Sequence, residues 1–471
     1  MEERRDNMRQ IASPEEKYMN MTQTPIPKLI ITLAIPTMVS MMITSIYNMA
    51  DTYFVGKIST SASGAVGIAL SLMAIIQSIG FTLGMGSGNH ISRLLGRKEA
   101  EKASQVAAVS FFTALGLGAV ITVLGLIFLD PLVRLLGATP TIFPHARDYV
   151  FYILLGAPFM VASFVLNNLL RFQGSAFYSM IGIGIGGLIN IILDPIFIFN
   201  LNMGTGGAAL ATIISQAISF ILLLVACGRG GNIKISLRHF RPEWKVYKEV
   251  LRGGLPSFYR QSLASLSIIL MNHAAGPYGD AAIAAMSIVS RVFQFAMSLL
   301  LGFGQGFQPV CGFNYGAKLY HRVLKAFWFC IQISVVVLVI VAALGFAFSP
   351  QIIALFRKDD LEVIAIGAKA LRLQCITFPL SAWIVINNML LQTIGKSTKA
   401  SILALARQGL FFIPPILILP QLIGILGIQL SQPLADLATF ILAIPLGLSV
   451  LKELKELQTK ESPQSLHQEV V

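Results

Sequence analysis

Apolar residues run along this chain in blocks of about 20, separated by short polar stretches rich in Lys and Arg. A block of that length crosses the ~30 Å hydrocarbon core of a bilayer as one helix. The apolar residues do not alternate with polar ones, as they would in half-buried strands. The blocks predict about twelve spans, centred near residues 42, 76, 116, 160, 189 and 216, then 263, 295, 336, 379, 410 and 438. The expected fold class is therefore an all-α polytopic membrane protein with 12 transmembrane helices.

Composition agrees: 55 % of residues are hydrophobic and 12 % charged, where a soluble domain carries about 25 % charged residues. The net charge of +13 does not indicate a nucleic-acid partner, because the Lys and Arg sit in the short loops between apolar blocks. About 25 of the 35 fall on one side of the predicted spans, which is the positive-inside pattern. That side is then cytoplasmic, and an even number of spans puts both termini there, in a plasma or bacterial inner membrane. The expected organisation is a cytoplasmic tail at 1–28, a first six-span lobe at 29–227, a basic cytoplasmic linker at 228–249, a second lobe at 250–451 and a cytoplasmic tail at 452–471. The four cysteines are scattered with no CxxC, so neither a disulfide framework nor a structural metal site is indicated.

The chain repeats itself. Pro36 and Pro256 lie 220 positions apart, as do Gly84 and Gly304, Asn167 and Asn387, Asn168 and Asn388, Pro195 and Pro415, and Gly204 and Gly424. One offset across a whole half marks a duplication. Six spans per half make the halves parallel repeats, and in transporters so built the default substrate site lies between the repeats near the midplane.

Charged and amide side chains interrupt the apolar blocks at a few places. Asp51 stands near the end of the first block, with Tyr47, Asn48 and Thr44 at helical spacing before it. An acid in a spanning helix costs roughly 2.5–3.5 kcal/mol even on insertion scales, and usually marks an ion or proton pathway. The fifth block places Asn190 and Asp194 at i and i+4, on one helix face. Pro195 follows and lacks the N–H its position would otherwise donate. Thr212 lies two turns into the sixth block. Together these form an all-oxygen set, suited to a hard cation. Two close carboxylates in low dielectric cannot both ionise easily, so one is also expected to carry a proton. Sodium and proton both remain open. At the repeat offset Asp51 becomes Met271, Asn190 Leu410, Asp194 Pro414 and Thr212 Gln432. The scaffold is duplicated and this set is not.

The NMADTYFVG end of the first span, the NIILDPIFIF fifth span, the GGAALAT start of the sixth and the duplicated halves resemble the multidrug and toxic compound extrusion (MATE) family, over residues 25 to 452. The resemblance implies a V-shaped pair of six-helix lobes and antiport of bulky, often cationic, organic compounds against protons or sodium. It implies that Asp51, Asn190, Asp194 and Thr212 form the N-lobe ion site and that Pro36 bends the first span. Acids found in the seventh and tenth spans of one family branch are missing here, where Tyr259, Arg260 and Gln261 stand in the seventh, so a second cation site is not expected. The chain is expected to act as a monomer in the bilayer, with no cofactor beyond the coupling ion.

Tyr47, Asn48, Asn168, Arg260 and Asp436 are further cavity candidates. Asp436 is an acid inside the twelfth span and is equally expected to pair with Arg260 or Arg407. The asparagine pairs occur in both halves, which favours a shared structural role. The glycine run at 182–187 lies inside an apolar helix with no strand before it, so close helix packing is expected rather than a nucleotide loop. Two other readings compete. A flippase for lipid-linked amphiphiles would need a larger basic cavity, for which Arg260, Arg291 and Arg407 are the candidates. An intramembrane aspartyl enzyme would use the two acids as a dyad, but they sit in no catalytic motif. Without a Walker A pattern the chain has no ATPase of its own.

Overall fold

The computed structural model describes residues 13–229, 233–358 and 360–465; the parts of the expected tails at 1–12 and 466–471 and of the expected linker at 230–232 lie outside the described residues. Every regular element among the described residues is helical. This is the outcome a bilayer imposes, since helices satisfy their own backbone hydrogen bonds where water is absent. Among the described residues ten helices are long and apolar enough to cross a membrane, and the count reaches eleven if a pair bent by 56°, Leu361–Thr377 with Leu380–Thr393, is taken as one span. The remaining long helix is Trp244–Ala275, whose 32 residues reach roughly 48 Å at 1.5 Å per residue. It carries the expected span near residue 263, with Lys245, Lys248 and Arg252 at its start. The other eleven expected centres also fall in these spans, residue 379 at the bend of the bent pair.

The chain divides into two compact units. One takes residues up to Thr24 and Thr32–Gly254; the other takes Pro25–Ile31 and Leu255 onward. The first unit contains α1 (Pro14–Gln23), most of α2 (Ile26–Gly56), α3 (Thr60–Gly96), α4 (Ala100–Ile127), α5 (Leu129–Leu135), α6 (Phe143–Phe172), α7 (Ala176–Pro195) and α8 (Gly204–Arg229). Ser13 and Glu16 cap α1 reciprocally, each satisfying an otherwise orphaned N–H. The unit is built around α6, which packs on α3, α4 and α8. The stretch after α8 is fastened along α4. Gln105 donates to the Arg241 carbonyl and to Glu243, the Lys234 N–H donates to Ser104 Oγ, and Phe112 meets Phe240 edge to face. The start of α9 (Trp244–Ala275) then crosses α3 with backbone almost on backbone. A Cβ on Gly86 would lie 1.9 Å from the Val250 carbonyl oxygen, and one on Gly254 would lie 2.0 Å from that of Thr82.

The second unit continues α9 and adds α10 (Asp280–Gly316), α11 (Tyr320–Ala347), α12 (Ser349–Ala354), α13 (Leu361–Thr377), α14 (Leu380–Thr393), α15 (Ser397–Leu405), α16 (Ile413–Ile423) and α17 (Ile425–Ser465). Each unit has one five-residue π turn, at Ile196–Asn200 and Ala406–Leu410.

The duplication is visible in the backbone. Lys98 and Lys318, 220 apart, both take φ 61°, and Gly204 and Gly424 both take positive φ. The offset does not hold throughout. Gly125 faces Leu154 and Gly345 faces Cys375; Gly84 faces Asn168 and Gly304 faces Met389. Asn167 donates to Ser179, and Asn388 donates to the Ala400 carbonyl. Through these spans the counterpart lies 221 positions on, so the structural partner of Asn167 is Asn388, not Asn387. The two halves differ by one residue upstream of Cys375, in a stretch that includes the turn at 355–358, where a change in length costs less than inside a packed helix.

The close crossing gives a test of the packing. Gly86→Ala and Gly254→Ala are each expected to destabilise the protein by about 3 kcal/mol or more, since the new methyl meets rigid backbone. Gly67→Ala, with nothing within 4 Å of the added Cβ, is expected to stay within about 0.5 kcal/mol. Thermal midpoints in a nonionic detergent measure all three, and a Gly86→Ala midpoint equal to wild type would show that the helices do not touch there.

Candidate functional site

In the first unit three helices bring the predicted set together. α2 runs unbroken through the buried Pro36, and Ser40 donates to the Pro36 carbonyl at 2.9 Å. About four turns beyond Pro36, Asp51 is buried. α7 carries Asn190 and Asp194, one turn apart. Directly after Asp194 the helix stops at Pro195 and widens into the π turn Ile196–Asn200. α8 carries Thr212. Its first turns pack on the π turn where Gly207 leaves room: a Cβ there would sit 2.7 Å from the Phe197 carbonyl oxygen.

Asn190 organises the set. Its Nδ2 donates to Asp194 Oδ1 at 3.2 Å and lies 3.4 Å from Thr212 Oγ1. Thr212 also donates to the Ala208 carbonyl, as a helical Thr commonly does. Asp51 is 9 % exposed and Asp194 fully buried. Among the described residues no cation pairs with either. Asp51 Oδ1, Asp194 Oδ2 and Asn190 Oδ1 accept no hydrogen bond from the described residues. Buried acceptors of this kind are costly unless a proton or cation reaches them.

Tyr149, on α6, completes the group. Its hydroxyl donates to Asp51 Oδ2 at 3.5 Å, and its surroundings include Asp194 and Thr212. It was missed because the fourth span also holds Tyr152, and nothing in spacing sets one tyrosine apart. The repeat held a signal: once the slip in offset is allowed for, the counterpart of Tyr149 in the second half is Ala370, which has no hydroxyl. A cavity of about 60 Å³ adjoins the site. Thr44, Tyr47, Asn167, Asn190 and Thr212 line it, and Ser163, Ser215 and Gln216 add hydroxyls and an amide. Asn48 is exposed instead, 100° round α2 from Tyr47 by helical geometry. Asn168 is held by Arg171 and the Phe164 carbonyl, which is the structural role. The glycine run packs as expected, with Gly186 against Ser219 of α8 and Gly187 against Ile43 and Tyr47 of α2.

The second unit has its own cavity, of about 240 Å³. It shares wall positions with the first. Ala264, Ser267, Asn388 and Gln432 stand on its wall where Thr44, Tyr47, Asn167 and Thr212 stand on the other. Arg260 and Arg407 are on this wall, with Met271, Met286, Met297 and Phe293; Arg291 is exposed and outside it. Asp436 pairs with Arg407, not Arg260. Arg407 Nε reaches Asp436 Oδ1 at 2.8 Å, Gln432 donates to the same oxygen at 3.0 Å, and Arg407 also donates to Ser381 Oγ at 3.1 Å. Asp436 is fully buried. Among the described residues no three His, Cys, Asp or Glu side chains gather as metal ligands do.

A family model described as MatE matches residues 36–196 and 256–418, one copy in each half. The multidrug export protein MepA of Staphylococcus haemolyticus is 28 % identical over 432 residues, 91 % of this chain and 95 % of that protein. The protein of the same name from Staphylococcus aureus (strain MSSA476) is 28 % identical over 426 residues, covering 90 % and 93 %. Among solved structures, the crystal structure of MATE in complex with MaL6 aligns with a TM-score of 0.88 at 27 % identity, over 93 % of this chain and 99 % of that one. The outward-facing conformation of a multidrug resistance MATE family transporter of the MOP superfamily aligns at 0.87 and 27 % identity, over 93 % and 98 %.

The Arg407–Asp436 pair carries a prediction of its own. Arg407→Met is expected to cost about 3–5 kcal/mol, because it strands a buried carboxylate. Adding Asp436→Leu is expected to recover most of that loss, because the charge is then gone. Thermal unfolding in detergent compares the two, and equal midpoints for the single and double substitutions would remove the pair as the reason.

Proposed function

The chain belongs to the MatE family, and on that premise we propose that it exports bulky organic compounds, often cationic, against an inward flow of protons or sodium. It is a polytopic membrane transporter and not an enzyme. The reading rests on one observation above all: the buried carboxylates of Asp51 and Asp194 sit together in the first unit with no cationic partner among the described residues, while the second half has no acid at the matching positions. The export function itself is drawn from the similarity to the staphylococcal export proteins.

In this reading Asp51, Asn190, Asp194 and Thr212 hold the coupling ion. The unpaired oxygens of Asp51, Asp194 and Asn190 accept it, and the Tyr149 hydroxyl positions Asp51. A proton would sit on one of the two carboxylates; a sodium ion would draw on the oxygens of all four side chains. Either neutralises charge that the bilayer makes expensive. For the ion to drive export it must favour one of the outward- and inward-open states over the other, since a ligand shifts an equilibrium only by its differential affinity. The unbroken but proline-containing α2 is the element suited to respond, because Pro36 leaves its helix one backbone hydrogen bond short. Both termini are cytoplasmic on the distribution of Lys and Arg, and the protein works as a monomer. A second reading, movement of a lipid-linked amphiphile, is favoured by the two arginines in the cavity of the second unit.

The test is efflux of a fluorescent organic cation from proteoliposomes, with a proton gradient and a sodium gradient imposed separately. Wild type is expected to respond to one of them. Asp51→Asn and Asp194→Asn are expected to fall at least about tenfold, toward the leak rate, the scale of losing one charge-assisted contact. Tyr149→Phe is expected to shift the ion concentration needed for half-maximal rate while leaving the maximal rate largely intact. Wild-type rates in both aspartate variants at matched reconstitution would remove the assignment. Efflux under neither gradient, with uptake of a lipid-linked substrate, would favour the second reading.

A further inference from the structure

The cavity of the second unit shares wall positions with the first-unit cavity, but its wall carries two arginines where that of the first carries no charged side chain and only adjoins the carboxylates of Asp51 and Asp194. Where the first half has Asp51 the second has Met271, and Met271 lines the cavity. Where the first half has Ser40 and Gly186 the second has Arg260 and Arg407, at offsets of 220 and 221. No carboxylate is among the lining residues.

The two arginines are not equivalent. Arg407 is satisfied by Asp436 and Ser381. Arg260 is only partly exposed, and among the described residues it makes no hydrogen bond or ion pair. A guanidinium inside a spanning segment without a counter-charge is expensive to maintain, and it presents five donors in a planar fork matched to carboxylate, sulfonate or phosphate oxygens. The wall mixes amides and hydroxyls with adaptable apolar side chains. Met271, Met286 and Met297 supply flexible thioethers, and Phe293 lies beneath the Arg407 guanidinium at 5.7 Å, the kind of surface that moulds to varied apolar bodies. An organic cation entering here would meet two positive groups and one buried acid already engaged.

We propose that this cavity binds an amphiphilic organic anion, its acidic group on Arg260 and its apolar body against the methionine and phenylalanine wall. Asp436 sets the affinity by holding Arg407 back from the ligand. The proposal does not rest on ion coupling in the first unit, so binding is the readout.

The experiment uses purified full-length protein in nanodiscs of zwitterionic phosphatidylcholine, titrated with the fluorescent carboxylate dansylglycine and with its neutral amide, dansylglycinamide. The carboxylate is expected to bind at least about tenfold more tightly than the amide, the scale of one charge-assisted pair. Arg260→Gln is expected to erase that preference, and Arg260→Lys to keep part of it. Asp436→Asn is expected to tighten carboxylate binding, a gain that a folding defect does not produce. Repeating the titration with phosphatidylglycerol in the nanodisc distinguishes sources. Competition that disappears in Arg260→Gln assigns the site to a lipid headgroup, and its absence assigns it to a soluble anion. Equal affinity for carboxylate and amide, or an Arg260→Gln protein that still prefers the carboxylate, would overturn the proposal.

Discussion

A carboxylate carried into a bilayer has to be neutralised, and this chain meets that requirement in two ways. In the second unit Asp436 is fully buried and answered by Arg407, with Gln432 sharing the same oxygen. The pair is built into the protein, and it closes. In the first unit Asp51 and Asp194 are buried beside an amide, a hydroxyl and a phenol, and among the described residues no cation pairs with them. Desolvating an unpaired charge costs several kcal/mol in practice, which is the ground for proposing that a proton or cation completes that site. The two arrangements stand on repeats of one scaffold.

The scaffold is shared because backbone geometry is copied more faithfully than side-chain chemistry. The left-handed turns at Lys98 and Lys318, and at Gly204 and Gly424, end or begin the same helices in each half. Close approaches recur too, as Gly207 against Phe197 and Gly427 against Leu419. Side chains facing the cavities carry no such constraint. Thr44, Tyr47 and Thr212 give way to Ala264, Ser267 and Gln432 without disturbing a helix. The one-residue difference upstream of Cys375 shifts the register by one, and the bend of 56° at the junction of α13 and α14 stands at Pro379, where Pro158 lies in the unbroken α6.

Much of this was legible from the residues. Runs of about 20 apolar residues place spans without ambiguity, because the bilayer leaves the backbone few alternatives. The pairing of Asn190 with Asp194 followed from i, i+4 spacing alone. Other features were not legible, for physical reasons. Tyr149 reaches Asp51 across 98 positions of chain, and no local pattern encodes which of two nearby tyrosines turns inward. Asn48 shares a face with Asp51 on a coarse reading, yet the rotation between residues 47 and 48 takes it out of the cavity. The choice of Arg407 over Arg260 as partner of Asp436 depends on where two helices cross. The one-residue slip is hidden in sequence because the asparagines come as adjacent pairs, so either register finds a match.

That slip changes the meaning of the second cavity. At the offset of 220 the second half reads as a copy that has lost its acids. With the slip included, several wall positions match, among them Thr44 with Ala264, Asn167 with Asn388 and Gly186 with Arg407, while Arg260 stands where the first half has Ser40. Loss of function at a duplicated site would leave apolar residues that pack shut. What stands there is a cavity of about 240 Å³ against about 60 Å³ in the first unit, with a guanidinium that has no partner among the described residues. Among the described residues each unit thus keeps unpaired charge beside its cavity, of opposite sign: Asp51 and Asp194 in the first, Arg260 in the second. A ligand that neutralises such a charge lowers its cost, and it favours one conformation over another only by the difference in that gain between the two. Two such sites on one chain can bias a single transition, and if both bias it their effects on each other's affinity must be reciprocal.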